Sequence, residues 1–129
     1  MKYLLDVNAL IALGVFHHAF HERVVLWTQS VVTATLLTCS ITELGFVRIA
    51  SQVSSYGFTV QQAQSLLVRL KAKKSLVFIP DENDISMLPP WVKRSRQTTD
   101  GHLAQLAKAN GALLATLDEA IPNSFSIPE

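Results

Sequence analysis

The chain has one cysteine, Cys39, among its 129 residues. A lone thiol excludes an internal disulfide, and no second Cys or His stands near it at metal-ligand spacing. Sitting in the apolar run around Leu36–Ser40, it reads as a small core residue of a reducing compartment. Charge of one sign is also missing: the formal net charge is +1, which neither predicts nor excludes a nucleic-acid partner, because a local basic patch can coexist with an acidic site. No apolar run approaches the roughly 18 residues that span a bilayer. The start, Met1–Phe16, has the outline of a secretion signal, but Asp6 and Asn8 interrupt it and no small-residue cleavage site follows. A cytoplasmic protein without membrane contact is expected. No segment is both strongly charged and poor in large apolar residues, and there is no repeat, linker or low-complexity tract.

What is present is apolar material. Apolar residues make up 49% of the chain, enough for one core, and the length suits a single domain over residues 1–129. Lys2–Leu5 is too short for a helix and suits a buried parallel strand. Helical spacing continues from Val7 to Phe16. An amphipathic helix opens in the patch His17–Glu22, with Phe20, Val24, Trp27 and Val31 on one face. Ala34–Cys39 is a second strand, and Ser40 begins a helix with Ile41, Leu44 and Val47 inward. Thr59 with Gln62 forms a capping box for a helix carrying Val60, Ala63, Leu66, Leu67 and Leu70 inward and ending in Lys71, Lys73 and Lys74. Leu76–Ile79 is a third strand. After an irregular stretch with at most a short helix, Thr98 and Thr99 open a helix that presents Leu103, Leu106 and Ala107 and closes at Asn110–Gly111. Ala112–Thr116 is a fourth strand and Phe125–Ile127 a fifth at the edge. Alternating strands and helices predict an α/β fold, a central parallel sheet of four to five strands covered by helices on both faces.

Four of the ten acidic residues fall at element junctions. Asp6 follows the first strand, Glu43 and Asp100 lie in first helical turns, and Asp118 follows the fourth strand. In an open α/β sheet such positions converge on the crevice beyond the strand C-termini. Converging carboxylates repel unless a cation lies between them, and Mg²⁺ or Mn²⁺ takes oxygen ligands while keeping several waters. Carboxylates without a nucleophile suit metal-assisted hydrolysis of a phosphodiester. Each acid also has a local explanation. Ser40-x-x-Glu43 is a capping box, Asp100 gains from the helix dipole, and Asp6 and Asp118 suit turn starts.

The contexts of these acids, LLDVNALIAL, SITELGFVRIAS and QTTDGHLAQLAKANGALLATLDEAI, resemble the PIN-domain family, most of all its VapC-type toxins from bacterial toxin–antitoxin pairs. The similarity runs over nearly the whole chain. It implies a PIN-like fold, Mg²⁺- or Mn²⁺-dependent endoribonuclease activity on RNA, a cognate antitoxin protein, and a homodimer. By the resemblance Asp6, Glu43, Asp100 and Asp118 are the catalytic, metal-holding quartet, with Asn8 and Thr99 orienting it. Arg48, Lys93, Arg94 and Arg96 are the RNA-contact candidates, the last three in a loop before Asp100. Trp91 in that loop either stacks on a base or anchors the loop to the core. His17, His18 and His21 with Glu22 could hold Zn²⁺, but no H-E-x-x-H pattern is present, and solvent- or RNA-facing histidines fit better. Two other classes stand beside this reading. A phosphoaspartate enzyme would want a second Asp at position 8, where Asn stands, and a lysine after the late strand. A catalytically silent PIN fold would have no need of clustered charge.

Overall fold

In the computed structural model, which describes residues 1–129, thirteen short elements wind around one parallel sheet. The strands are β1 (Lys2–Leu5), β2 (Thr35–Thr38), β3 (Val77–Phe78), β4 (Leu113–Thr116) and β5 (Phe125–Ser126). The helices are α1 (Val7–Gly14), α2 (His21–Ser30), α3 (Ser40–Gln52), α4 (Val60–Lys74) and α5 (Thr98–Ala109), with short 3-10 turns at Ser54–Tyr56, Ile85–Met87 and Ser95–Gln97. Strand order is β3-β2-β1-β4-β5, and every pairing is parallel.

Strand alternation sends successive side chains to opposite layers. Tyr3, Leu5, Leu36 and Ala115 join a 19-residue core beneath α1 to α4, while Leu4, Leu37 and Leu114 pack with Leu103, Leu106 and Ala107 of α5. Four helices therefore cover one face and α5 the other. Cys39 is fully buried in the second layer, as its apolar setting suggests.

Local signals for helix ends hold well. Thr59 and Gln62 exchange the two hydrogen bonds of a capping box, at 3.1 and 2.9 Å. Gly111 takes the left-handed conformation (φ 67°) just past α5, where an L side chain is strained. At α3 the expectation is corrected. The cap is Cys39, with Thr42 Oγ1 accepting from the Cys39 N–H at 3.0 Å, so Ser40 and Glu43 form no capping box. The fully buried stripe is Thr42, Gly45, Phe46 and Ala50; Ile41 and Val47 pack half-buried against the core as expected, and Leu44 is 70% exposed. Two contacts set this phase. Phe46 is fully buried, and Gly45 lies so close to α1 that an added Cβ would meet Val7 Cγ2 at 2.7 Å.

Smaller departures share a cause, which is that element ends face water. Phe20 precedes α2 and is exposed, leaving Val24, Trp27 and Thr28 as the buried residues of that helix. Val60, in the first turn of α4, is exposed too. The ladder of β3 covers only Val77–Phe78 of the expected Leu76–Ile79, because β3 is an edge strand.

Candidate active site

The chain leaves β1 for β2 and β3 on one side, then returns to β4 and β5 on the other. The boundary between β1 and β4 is thus the point where the winding reverses, and in open parallel sheets that crevice receives ligands. Asp6 stands at the end of β1 and Asp118 two residues past β4. Asp100, in the first turn of α5, approaches from the other layer. All three line one cleft of about 460 Å³, together with Asn8, His18, Arg48, Tyr56, Thr99 and Thr116.

Asp6 is the most constrained. Its Oδ1 accepts the Ala9 N–H at 2.8 Å, which caps α1, and the Thr116 hydroxyl beside it also favours the anion. Burial outweighs both and pushes its pKa up to about 6, with the charges of Asp100 and Asp118 adding to the rise. Asp100 is likewise raised, first by burial and then by Asp118. Thr116, fully buried, also accepts the Asp118 N–H at 3.0 Å, so one hydroxyl ties the two strand ends together. Asp118 Oδ1 accepts the Ala120 N–H at 2.9 Å, which shapes the turn after β4.

Carboxylate and hydroxyl oxygens dominate this donor set, the chemistry of a hard divalent cation. Arg48 is the one Lys or Arg side chain on the cleft, and it joins no salt bridge; the Lys or Arg ion pair of the molecule is Lys71–Glu43, and Asp81 meets the His102 ring. The negative charge in the cleft is therefore left for something else to balance. As the side chains stand, no three His, Cys, Asp or Glu groups close into a ready ligand set.

The expected fourth carboxylate lies elsewhere. Glu43 accepts from Thr38 Oγ1 at 2.5 Å and pairs with Lys71 at 2.8 Å, beside a groove formed by Leu44, Val47, Leu67, Val68 and Phe78. Topology explains the displacement: β2 lies on the side of β1 away from β4, and the last turn of α4 supplies a lysine there. Three of the four predicted carboxylates line this cleft, and Glu43 is held towards Lys71 outside its lining.

Among the polar candidates, Asn8, Thr99 and Arg48 line the cleft. Lys93, Arg94 and Arg96 are exposed on the loop before α5, outside it. That loop is held in place by Gln97, whose Oε1 accepts the N–H groups of Lys93 and Arg94 at 2.8 and 3.0 Å. Trp91 packs against the core layer under α5, which anchors the loop. The histidines make no metal set: His17 is exposed, and the His21 Nδ1 donates to the Ala12 carbonyl at 2.7 Å. Thr116 and Tyr56 were not among the expected site residues, and His18 was expected only as a Zn²⁺ candidate or a solvent- or RNA-facing histidine. Thr116 was findable as a polar residue ending an apolar strand; His18 and Tyr56 come from turns whose path no local spacing encodes.

Fold and site together define a doubly wound domain with an acidic cleft at its switch point. Residues 3–123 match the PIN domain family. The chain belongs to the PIN-domain family and stands among its VapC-type members. It is similar to ribonuclease VapC38 of Mycobacterium tuberculosis, 37% identical over 123 residues that cover 92% of this chain and 86% of that protein. Ribonuclease VapC39 of the same species is 35% identical over 133 aligned positions, covering 98% and 95%. Among solved structures, VapBC2 from Rickettsia felis, bound to a DNA fragment from its promoter, matches with a TM-score of 0.63 over 98% of this chain and 97% of the other. At 19% identity that likeness speaks to the fold. No helix is long and apolar enough to cross a membrane.

Proposed function

We propose that the protein is an endoribonuclease, the toxin of a toxin–antitoxin pair, which hydrolyses RNA phosphodiesters with Mg²⁺ or Mn²⁺. The observation that carries this reading is the meeting of Asp6, Asp100 and Asp118 in one cleft without a compensating ion pair. The similarity to ribonucleases named VapC supplies the substrate class. Asp6, Asp100 and Asp118 would hold the cation. When bound, such an ion lowers the pKa of an attacking water and offsets charge on the phosphoryl oxygens. Asn8 and Thr99 orient groups beside the carboxylates. Arg48 meets a phosphate at the cleft, and Lys93, Arg94 and Arg96 guide the strand along the exposed loop. Glu43 enters the site only if its pair with Lys71 opens. The protein works in the cytoplasm as a homodimer, and its antitoxin covers the cleft, presenting an Arg or Lys to the carboxylates.

The experiment is RNA cleavage with and without Mn²⁺, with cut ends mapped by sequencing, for the wild type and Asp100→Asn. The substitution keeps shape and removes charge. Cleavage is expected to fall by roughly two orders of magnitude if cation stabilisation supplies several kcal/mol. A mutant that cuts at the wild-type rate removes Asp100 from the mechanism.

A further inference from the structure

We propose that His18 is a positioning residue: it holds the Asn8 carboxamide so that the NH₂ group faces the cleft and donates to a non-bridging oxygen of the phosphodiester. The inference rests on the ribonuclease reading of the cleft. In the turn between α1 and α2 the Phe20 N–H points at His18 Nδ1 at 3.0 Å. A backbone N–H can only donate, so Nδ1 carries no proton. In a neutral ring the proton is then on Nε2, which lies 3.0 Å from Asn8 Oδ1. The same proton inventory fixes the amide: Nε2–H donates, so the Asn8 oxygen is the accepting atom and the NH₂ remains for the cleft. Burial, and next the charge of His21, hold the His18 pKa below its ordinary value, in keeping with a neutral ring.

The turn itself is well fixed. The His18 N–H donates to the Val15 carbonyl at 3.0 Å, the His21 N–H to the His18 carbonyl at 3.1 Å, and the His21 ring to α1. His18 is half-buried on the cleft wall, while Asn8 is exposed in the first turn of α1 and makes no other side-chain hydrogen bond. Without His18, the two amide orientations of Asn8 would differ little. Orientation matters because the neighbouring carboxylates are acceptors only. A phosphodiester oxygen needs donors, and a preset neutral donor stabilises developing charge without adding to the cation requirement.

Two substitutions separate this role from simple support of the turn. His18→Asn keeps an acceptor near the Nδ1 position for the Phe20 N–H but cannot reach Asn8. His18→Gln keeps a donor near the Nε2 position but gives up the turn. The proposal expects kcat/KM on an RNA substrate to fall about tenfold in Asn8→Ala and equally in His18→Asn, the scale of one lost hydrogen bond. His18→Gln should recover most of the rate, and the Asn8→Ala/His18→Asn double variant should be no slower than Asn8→Ala alone. Nitrogen-15 NMR of the metal-free wild type should read His18 as the Nε2–H tautomer. A protonated Nδ1, an active His18→Asn beside an impaired His18→Gln, or an Asn8→Ala variant with full activity overturns the proposal. A wild type that cleaves no RNA fails the ribonuclease reading instead, and the NMR measurement still decides whether His18 holds Asn8 as described.

Discussion

Asp6→Asn makes the electrostatic cost of the acidic cleft measurable. In the unfolded chain an aspartate titrates near 3.8; in the fold, burial pushes Asp6 up to about 6. Below the lower value the carboxyl is protonated in both states and no pH-dependent cost arises. Between the two values the unfolded chain releases a proton that the folded one keeps, so stability falls as pH rises, and the loss is complete above about 6. The full difference is about 3 kcal/mol. Asparagine still accepts the Ala9 N–H as a helix cap, but being neutral it holds that N–H and the nearby Thr116 hydroxyl less strongly than a carboxylate does, which returns about 1 kcal/mol. Asp6→Asn should therefore stabilise the metal-free protein at neutral pH by about 2 kcal/mol, or about 6 °C in Tm for a domain of this size. Circular-dichroism melts in chelator across the range from acid to neutral are the assay. The gain should shrink towards pH 3.8 and reverse there. Divalent cation should raise the Tm of the wild type and leave the mutant nearly unmoved. A mutant that melts lower at neutral pH in chelator, or whose difference ignores pH, refutes the reasoning.

Two further substitutions test how the cleft is framed. Glu43→Gln should cost about 1 kcal/mol in Tm-derived stability, since its partly exposed pair with Lys71 weakens, and should lower cleavage far less than Asp100→Asn; equal losses would mean that the pair opens during turnover. Gly101→Ala places a methyl 2.2 Å from Val92 Cγ2, beside the loop that carries Lys93, Arg94 and Arg96. It should destabilise by about 1–3 kcal/mol, with Val92→Ala restoring the melt; no change in the single variant would show that the loop gives way freely.

Strand–helix alternation, buried short strands and cap chemistry were legible because each is written within a few residues. Thr59 and Gln62, or Asn110 and Gly111, carry their geometry with them. The phase of α3 was not. Ile41, Leu44 and Val47 obey the same period as the true stripe, and the choice between them depends on Phe46 filling the core and Gly45 meeting Val7. Those contacts join segments nearly forty positions apart. Periodicity finds a helix and leaves its rotation to the neighbours.

The candidate site divides along the same line. Asp6, Asp100 and Asp118 could be brought together from topology alone, because strand ends and helix starts at a switch point face one crevice. Glu43 obeys that rule as written, yet sits one strand too far from the boundary between β1 and β4, and a lysine at the end of α4 offers it a partner there. Placing it required the strand order, which alternation does not supply. A carboxylate finds its lowest free energy with the nearest cation, and for Glu43 that is Lys71. For the three in the cleft, among side chains, only Arg48 is near, and it stands unpaired. This asymmetry is the physical reason that the cation we propose is assigned to the cleft between β1 and β4 and not to the groove beside Glu43.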